Sequence, residues 1–301
     1  MGAQLRVVRR RIRSVQSTMK ITRAMELIAA SRIVKAQQRV GEARPYADLL
    51  TSAMEDLARQ TGSLAHPLLE ERENPERAAV VVLTSDRGLA GAYSANVIKR
   101  SEGLIRRMRS RGIEPVVYAV GKKAIGYFRF RGIPIEDEWS GFSEVPRYDA
   151  AREIGRRMIR EFRERRIDEL HVVYTDFRSA FTFRATDKRF LPIHPEEVGG
   201  DSEHRPHADY LFEPSPAAIL DDLLPQYVIT KIWFAMLESA ASENAARQRA
   251  MAAATDNAEE LIKVLTRQAN RARQDEITTE IMEIVGGAEA LRQSDDDDKE
   301  S

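Results

Sequence analysis

The chain of 301 residues contains no cysteine. Disulfides, thiolate zinc sites, cysteine nucleophiles and thiol switches are thereby excluded, leaving methionine as the oxidisable side chain. Long apolar runs are missing too. The longest, Ala78–Leu83 and Ile232–Leu237, fall far short of the ~20 residues that a bilayer-spanning helix needs. The amino terminus enters a charged helical pattern with no apolar signal core, so a soluble or peripheral protein without a transit peptide is expected. Net charge is absent as well: 47 Lys and Arg stand against 47 Asp and Glu. The whole-chain balance therefore gives no reason to expect nucleic acid or an acidic membrane as partner.

Glycine and proline are absent from two long stretches, Ala3–Val40 and Gln226–Val285. Within the first, Leu5, Val8, Ile12, Val15 and Met19 step by three and four, which is one stripe of a helix. Met25, Ile28 or Ala29, Ile33, Ala36 and Val40 continue it. At ~1.5 Å per residue this helix would be roughly 57 Å long. Gly41 and Pro45 predict a bend, with Tyr46, Leu49, Leu50, Met54 and Leu57 carrying the pattern to a helix end near Gln60. The second stretch would be roughly 90 Å of helix. Ser215 and Pro216 resemble its N-cap and first position, and Pro225 predicts an early kink. Ten alanines between Ala235 and Ala258 allow close helix contact, and Glu259 and Lys263 form an i,i+4 pair on an exposed side. Gly286 and Gly287 predict a loosened end.

Between these stretches the pattern alternates. Ala79–Thr84, Pro115–Val120 and Glu169–Thr175 are β-branched runs, separated by helical patterns at Ala92–Ser110, Lys122–Arg131 and Asp149–Arg165. Such alternation predicts a Rossmann-like α/β domain with a mostly parallel sheet, covered on both faces. Phe177–Phe190 could add an antiparallel edge hairpin. The organisation expected is an N-terminal coiled-coil helix over 1–60, a central α/β domain over 76–212, a C-terminal coiled-coil helix over 215–291 and a disordered acidic tail over 292–301. The run Asp295–Lys299 resembles an engineered protease tag. Two long helices at opposite ends, each with a stripe to bury, predict an antiparallel coiled coil. Glu243, Gln268 and Asp275 fall near seam positions, so part of the shaft is expected to face another protein.

Charge is uneven along the chain: residues 1–40 carry ten Lys or Arg and one acidic residue, Glu26. Such asymmetry marks a partner surface or a solvated tail. Almost no aromatic residue interleaves these arginines, which argues against nucleic acid. The loop Thr84–Tyr93 (TSDRGLAGAY) places glycines before a helix, where a phosphate can be cradled, but it lacks the phosphate-loop lysine motif. A tight turn packing the helix on the sheet is the simpler role. His194, Glu196, Glu197, Asp201, His204, His207 and Asp209 are metal-ligating types at irregular spacing in a polar, proline-bearing stretch, which reads as a solvated loop. His171 reads as a core or edge residue. No catalytic signature, cofactor site or metal site is expected.

Three separated segments carry a family resemblance: LRVVRRRIRSVQSTMKITRAMELIAASRIVKAQ (Leu5–Gln37), SDRGLAGAY (Ser85–Tyr93), and RAMAAATDNAEELI (Arg249–Ile262) followed by NRARQDEITTEIMEIVGGAEAL (Asn270–Leu291). Together they resemble the gamma subunit of the F-type ATP synthase. The resemblance implies a non-catalytic rotor whose coiled coil passes through the alpha3beta3 catalytic hexamer. Its α/β domain would stand on the c-subunit ring beside the epsilon subunit, one copy per complex, at the cytoplasmic face of a bacterial membrane. It also implies that Arg273, Gln274, Thr278 and Glu280 grip the beta-subunit catch loop. Lys20, Arg23 and Met25 would face the acidic lever of beta, and Ile281–Ala290 would turn in an apolar bearing. Ala90 and Ser94 depart from the Cys and Asn frequent in the family, and the chloroplast regulatory cysteine segment is missing. The alternatives open on residues alone are a stand-alone nucleotide-binding α/β enzyme with a helical appendage and a coiled-coil nucleic-acid binder.

Overall fold

The computed structural model describes residues 2–61, 66–179, 182–193 and 215–297. The elements run α1 (Gly2–Thr61), β1 (Arg77–Leu83), α2 (Tyr93–Ser110), β2 (Glu114–Val120), α3 (Lys122–Phe130), β3 (Ile135–Trp139), α4 (Tyr148–Arg163), β4 (Glu169–Phe177), β5 (Phe183–Leu191) and α5 (Pro216–Asp297). They form two compact units. One combines the residues up to Leu27 with those from Ala250 onward, and the other spans Ile28–Arg249.

In the larger unit the strands make one sheet in the order β3-β2-β1-β4-β5. The first four strands pair in parallel and β5 closes the sheet antiparallel to β4. The edge hairpin expected over Phe177–Phe190 reduces to one antiparallel edge strand, β5, whose partner is β4 (Glu169–Phe177). β1 explains why the sheet is covered twice. Ala79, Val81 and Leu83 face a core that α4 and the early part of α5 build, while Ala78, Val80 and Val82 face a second core under α2 and α3. A strand buried on both faces reads as a continuous apolar run.

β3 was not anticipated. Its sequence IEDEW sits at the sheet edge, where only Trp139 is buried, and charges at an edge are how sheets avoid unwanted pairing. α4 approaches α5 closely because Gly155 has no side chain. A Cβ there would stand 2.6 Å from Ile229 Cγ1 and 3.3 Å from its Cα.

Both long helices run on through their glycines and prolines. The helical assignment of α1 continues through Gly41 and Pro45 to Thr61, and that of α5 through Pro225, Gly286 and Gly287 to Asp297. A proline removes one hydrogen bond, and neighbouring turns can absorb that loss. The histidine and carboxylate cluster over 194–209 lies outside the described residues.

Candidate functional site

In the smaller unit α1 and α5 bury facing stripes. On α1 the half-buried positions are Leu5, Val8, Ile12, Val15 and Met19, and Thr22 is buried; on α5 Met251, Thr255, Ala258, Leu265 and Ala269 are buried, and Ile262 and Ala272 half-buried. Both sets step by three and four, the spacing of a coiled-coil seam. Thr22 Oγ1 lies 2.8 Å from Thr255 Oγ1, whereas Gln4, Leu5 and Val8 border a recess with Gln268, Ala272 and Thr279. Position falls along α1 as it rises along α5, so the pairing is antiparallel. Gln268 and Asp275 are exposed beside the seam, near the positions expected from sequence. Glu243 lies in the other unit, fully buried and bonded to Arg247 at 2.7 Å.

Arg273, Gln274, Ile277, Thr278, Glu280 and Ile281 are all among the solvent-facing residues of α5; at ~100° per residue Gln274, Thr278 and Ile281 fall on the side away from the seam, while Arg273 and Glu280 flank it. Thr278 Oγ1 donates to the Gln274 carbonyl at 2.9 Å, which ties that hydroxyl to its own helix. Beyond them Met282, Ile284 and Val285 are exposed at 69, 72 and 53 %. This face mixes polar and apolar groups, a composition that can hold a partner by contact without a fixed ionic bond.

Lys20 and Arg23 are exposed and Met25 is half-buried. Arg23 pairs with Glu26 at 3.0 Å, so its charge is partly neutralised. Ideal helix geometry puts Met25 on one flank of the seam and Lys20 and Arg23 on the other. The structure also keeps the two groups apart. Thr22 meets Thr255, and Arg273 follows roughly 27 Å further along α5.

The loop after β1 holds together the edge of the sheet where the parallel strands end. The Asp86 carboxylate accepts the backbone amides of Lys122, Gly141 and Ser143 at 3.1, 2.8 and 3.0 Å. Thr84 Oγ1 accepts the Ala124 amide at 2.9 Å. Gly121 is required beneath it: its φ is +95°, and a Cβ would stand 2.2 Å from the Thr84 carbonyl oxygen. Ala90 and Tyr93 are buried against Ala246 of α5. A carboxylate already occupied by three amides opposes a phosphate, so the loop serves packing, as its missing lysine motif implied. Burial pushes the Glu243 carboxyl above its ordinary range, and Arg247 opposes the shift. His171 bonds Glu169 at 2.8 Å, a half-buried strand residue as expected. Among the described residues no group of carboxylates and histidines could hold a metal, and no helix is long and apolar enough to cross a membrane.

Comparison with known proteins agrees with this architecture. The ATP synthase family model matches residues 4–291. The ATP synthase gamma chain of Parafrankia sp. (strain EAN1pec) is 55 % identical over 295 residues, covering 97 % of this chain and 99 % of the relative. That of Thermobifida fusca (strain YX) is 54 % identical, covering 97 % of each. Among solved structures, the Euglena gracilis mitochondrial ATP synthase (OSCP/F1/c-ring, rotational state 3) contains a chain with TM-score 0.65 at 17 % identity, covering 97 % of this chain and 95 % of that one. A chain of the Tetrahymena thermophila mitochondrial ATP synthase central stalk and c-ring gives TM-score 0.56 at 20 % identity, over 78 % of this chain and 99 % of that one. These two share the fold. With half its residues identical to bacterial relatives matched end to end, the chain belongs to the ATP synthase gamma-chain family.

Proposed function

We propose that the chain is the central rotor shaft of an F1Fo ATP synthase, coupling proton-driven rotation of the c-subunit ring to ATP synthesis or hydrolysis on the beta subunits. It is a non-catalytic subunit, and it associates with the ATP synthase complex through surfaces on its helices and α/β domain. The observation that carries the reading is the antiparallel α1–α5 pair, whose outward side on α5 is exposed and polar and ends in exposed apolar residues. A shaft turning inside the alpha3beta3 hexamer needs such a surface, because strong fixed bonds would stop rotation. Arg273, Gln274, Thr278 and Glu280 are assigned to the beta catch loop, and Lys20, Arg23 and Met25 to the acidic lever of beta. The α/β domain is assigned to the epsilon subunit and the c-ring, at the cytoplasmic face of the bacterial membrane, with one copy per complex.

The nucleotide-enzyme alternative has little support, since Asp86 and Ala90 fill the only loop that suggested it from sequence. The test is co-purification of the chain with alpha and beta subunits, followed by ATPase measurement with and without it. Stable association with chain-dependent turnover is the expected result. ATP hydrolysis by the chain alone, without association, would sink the rotor reading.

A further inference from the structure

Three arginines from three parts of the larger unit converge on Glu144, in the segment between β3 and α4. Arg32 of α1 binds its Oε2 directly. Arg87, from the loop after β1, stands 3.6 Å from the same oxygen. Arg247 of α5 places Nη1 3.3 Å from Oε1. The Arg247 guanidinium also donates through Nη2 to Glu243 Oε1 at 2.7 Å and to the Gly88 carbonyl at 3.3 Å. The side chains of Glu144, Arg247 and Glu243 are only 13, 5 and 1 % exposed. Glu144 itself is held to the sheet, because Asp86 fixes the amides of its neighbours Gly141 and Ser143.

One carboxylate thus ties both long helices and the β1–α2 loop to the end of the sheet. Apolar packing around it is non-directional, so it resists separation of the helices better than their sliding or turning. The charge-assisted hydrogen bonds here, from Arg32 to Glu144 and from Arg247 to Glu243, have a narrow geometry and weaken steeply when it is lost, while Arg247 and Arg87 add ion-pair attraction to Glu144. A buried ion cluster is a poor source of net stability compared with an apolar core. What it adds here is resistance to shear.

We propose that Glu144 is the junction through which turning force passes between the α/β domain and the two long helices, with Arg247 and Arg32 as its contacts on α5 and α1. The inference rests on the rotor reading and names where, inside this subunit, the coupling is made. Loss of one bond at the junction should let the domain slip against the helices under load while resting assembly persists.

The test uses complete ATP synthase carrying this chain, reconstituted into vesicles, with ATP hydrolysis and ATP-driven proton pumping measured together. Glu144→Gln should preserve hydrolysis while protons pumped per ATP fall several-fold, and Arg32→Gln should give a smaller fall. Because the chain has no cysteine of its own, Ala90→Cys with Ala246→Cys can be added to join the loop to α5 covalently. Formation of that disulfide, verified by thiol titration, should restore pumping in the Glu144→Gln complex, and reduction should remove it again. Undiminished pumping per ATP in both single variants, or no restoration once the disulfide has formed, would overturn the proposal. Failure of the unaltered chain to join alpha and beta subunits would instead remove the rotor reading on which it stands.

Discussion

Replacing Gly155 by alanine should destabilise the larger unit, although alanine is the better helix former. The added Cβ would lie 2.6 Å from Ile229 Cγ1 and 3.3 Å from the Ile229 Cα, where carbon atoms prefer about 3.5–4.0 Å. Ile229 is only 2 % exposed, so its side chain has little room to rotate away, and crowding against its backbone can be relieved only by moving α5. Overpacking of this kind costs about 1–3 kcal/mol, against a propensity gain near 1 kcal/mol. The net expectation is a loss of about 1–2 kcal/mol, or several degrees in Tm for a unit of this size. Gly126 on α3 is the control, since a Cβ there meets nothing within 4 Å. Gly126→Ala should stabilise by about 0.5–1 kcal/mol. Denaturant unfolding monitored by circular dichroism gives both values, and Ile229→Ala combined with Gly155→Ala should cost less than the two changes added separately. Equal stabilisation by both glycine substitutions would refute the close-packing argument.

Further outcomes follow from other sites. Burial, aided by Asp176, pushes the Glu238 carboxyl up to about 7 from 4.5, with Lys188 opposing. An acid whose folded pKa lies above its unfolded value loses stability as pH rises from about 4.5 to 7, so Glu238→Gln should exceed the parent by about 2–3 kcal/mol above that window and match it below. A pH-independent difference in unfolding free energy would contradict this. Leu265 is 3 % exposed in the α1–α5 seam, and Leu265→Ala should cost about 2–5 kcal/mol. Amide exchange should accelerate around 258–272 and stay unchanged in β1, and unchanged exchange at both would argue against the seam. Arg273→Ala and Glu280→Ala remove exposed groups, so circular dichroism should be unaltered while ATPase turnover of the assembled complex falls. Full turnover would strike both residues from the contact surface.

Much of the fold could be read from the chain because burial leaves a period. β1 is apolar throughout since both its faces are covered, and the stripe from Leu5 to Met19 repeats as a seam must. β3 escaped because an edge strand with one buried residue carries no such period. Gln268 and Asp275 show a different limit. A polar residue close to an apolar stripe in sequence can flank the seam, and only the partner helix decides which. Glu243 misleads because α5 changes neighbours along its length. In the larger unit it packs in the domain and answers Arg247, and nothing in a helical period announces that exchange. The Glu144 convergence has no sequence signature at all, since its arginines come from positions 32, 87 and 247. For the contact residues, type and order alone say little, and their assignment comes from resemblance.

The end of α5 leaves Ile281, Met282, Ile284 and Val285 more than half exposed. Contiguous apolar surface on a solvated helix is where chains cling to one another. Chain made in excess of its partners would therefore meet its own copies tip to tip, and clumping would start there before any part of the sheet opened.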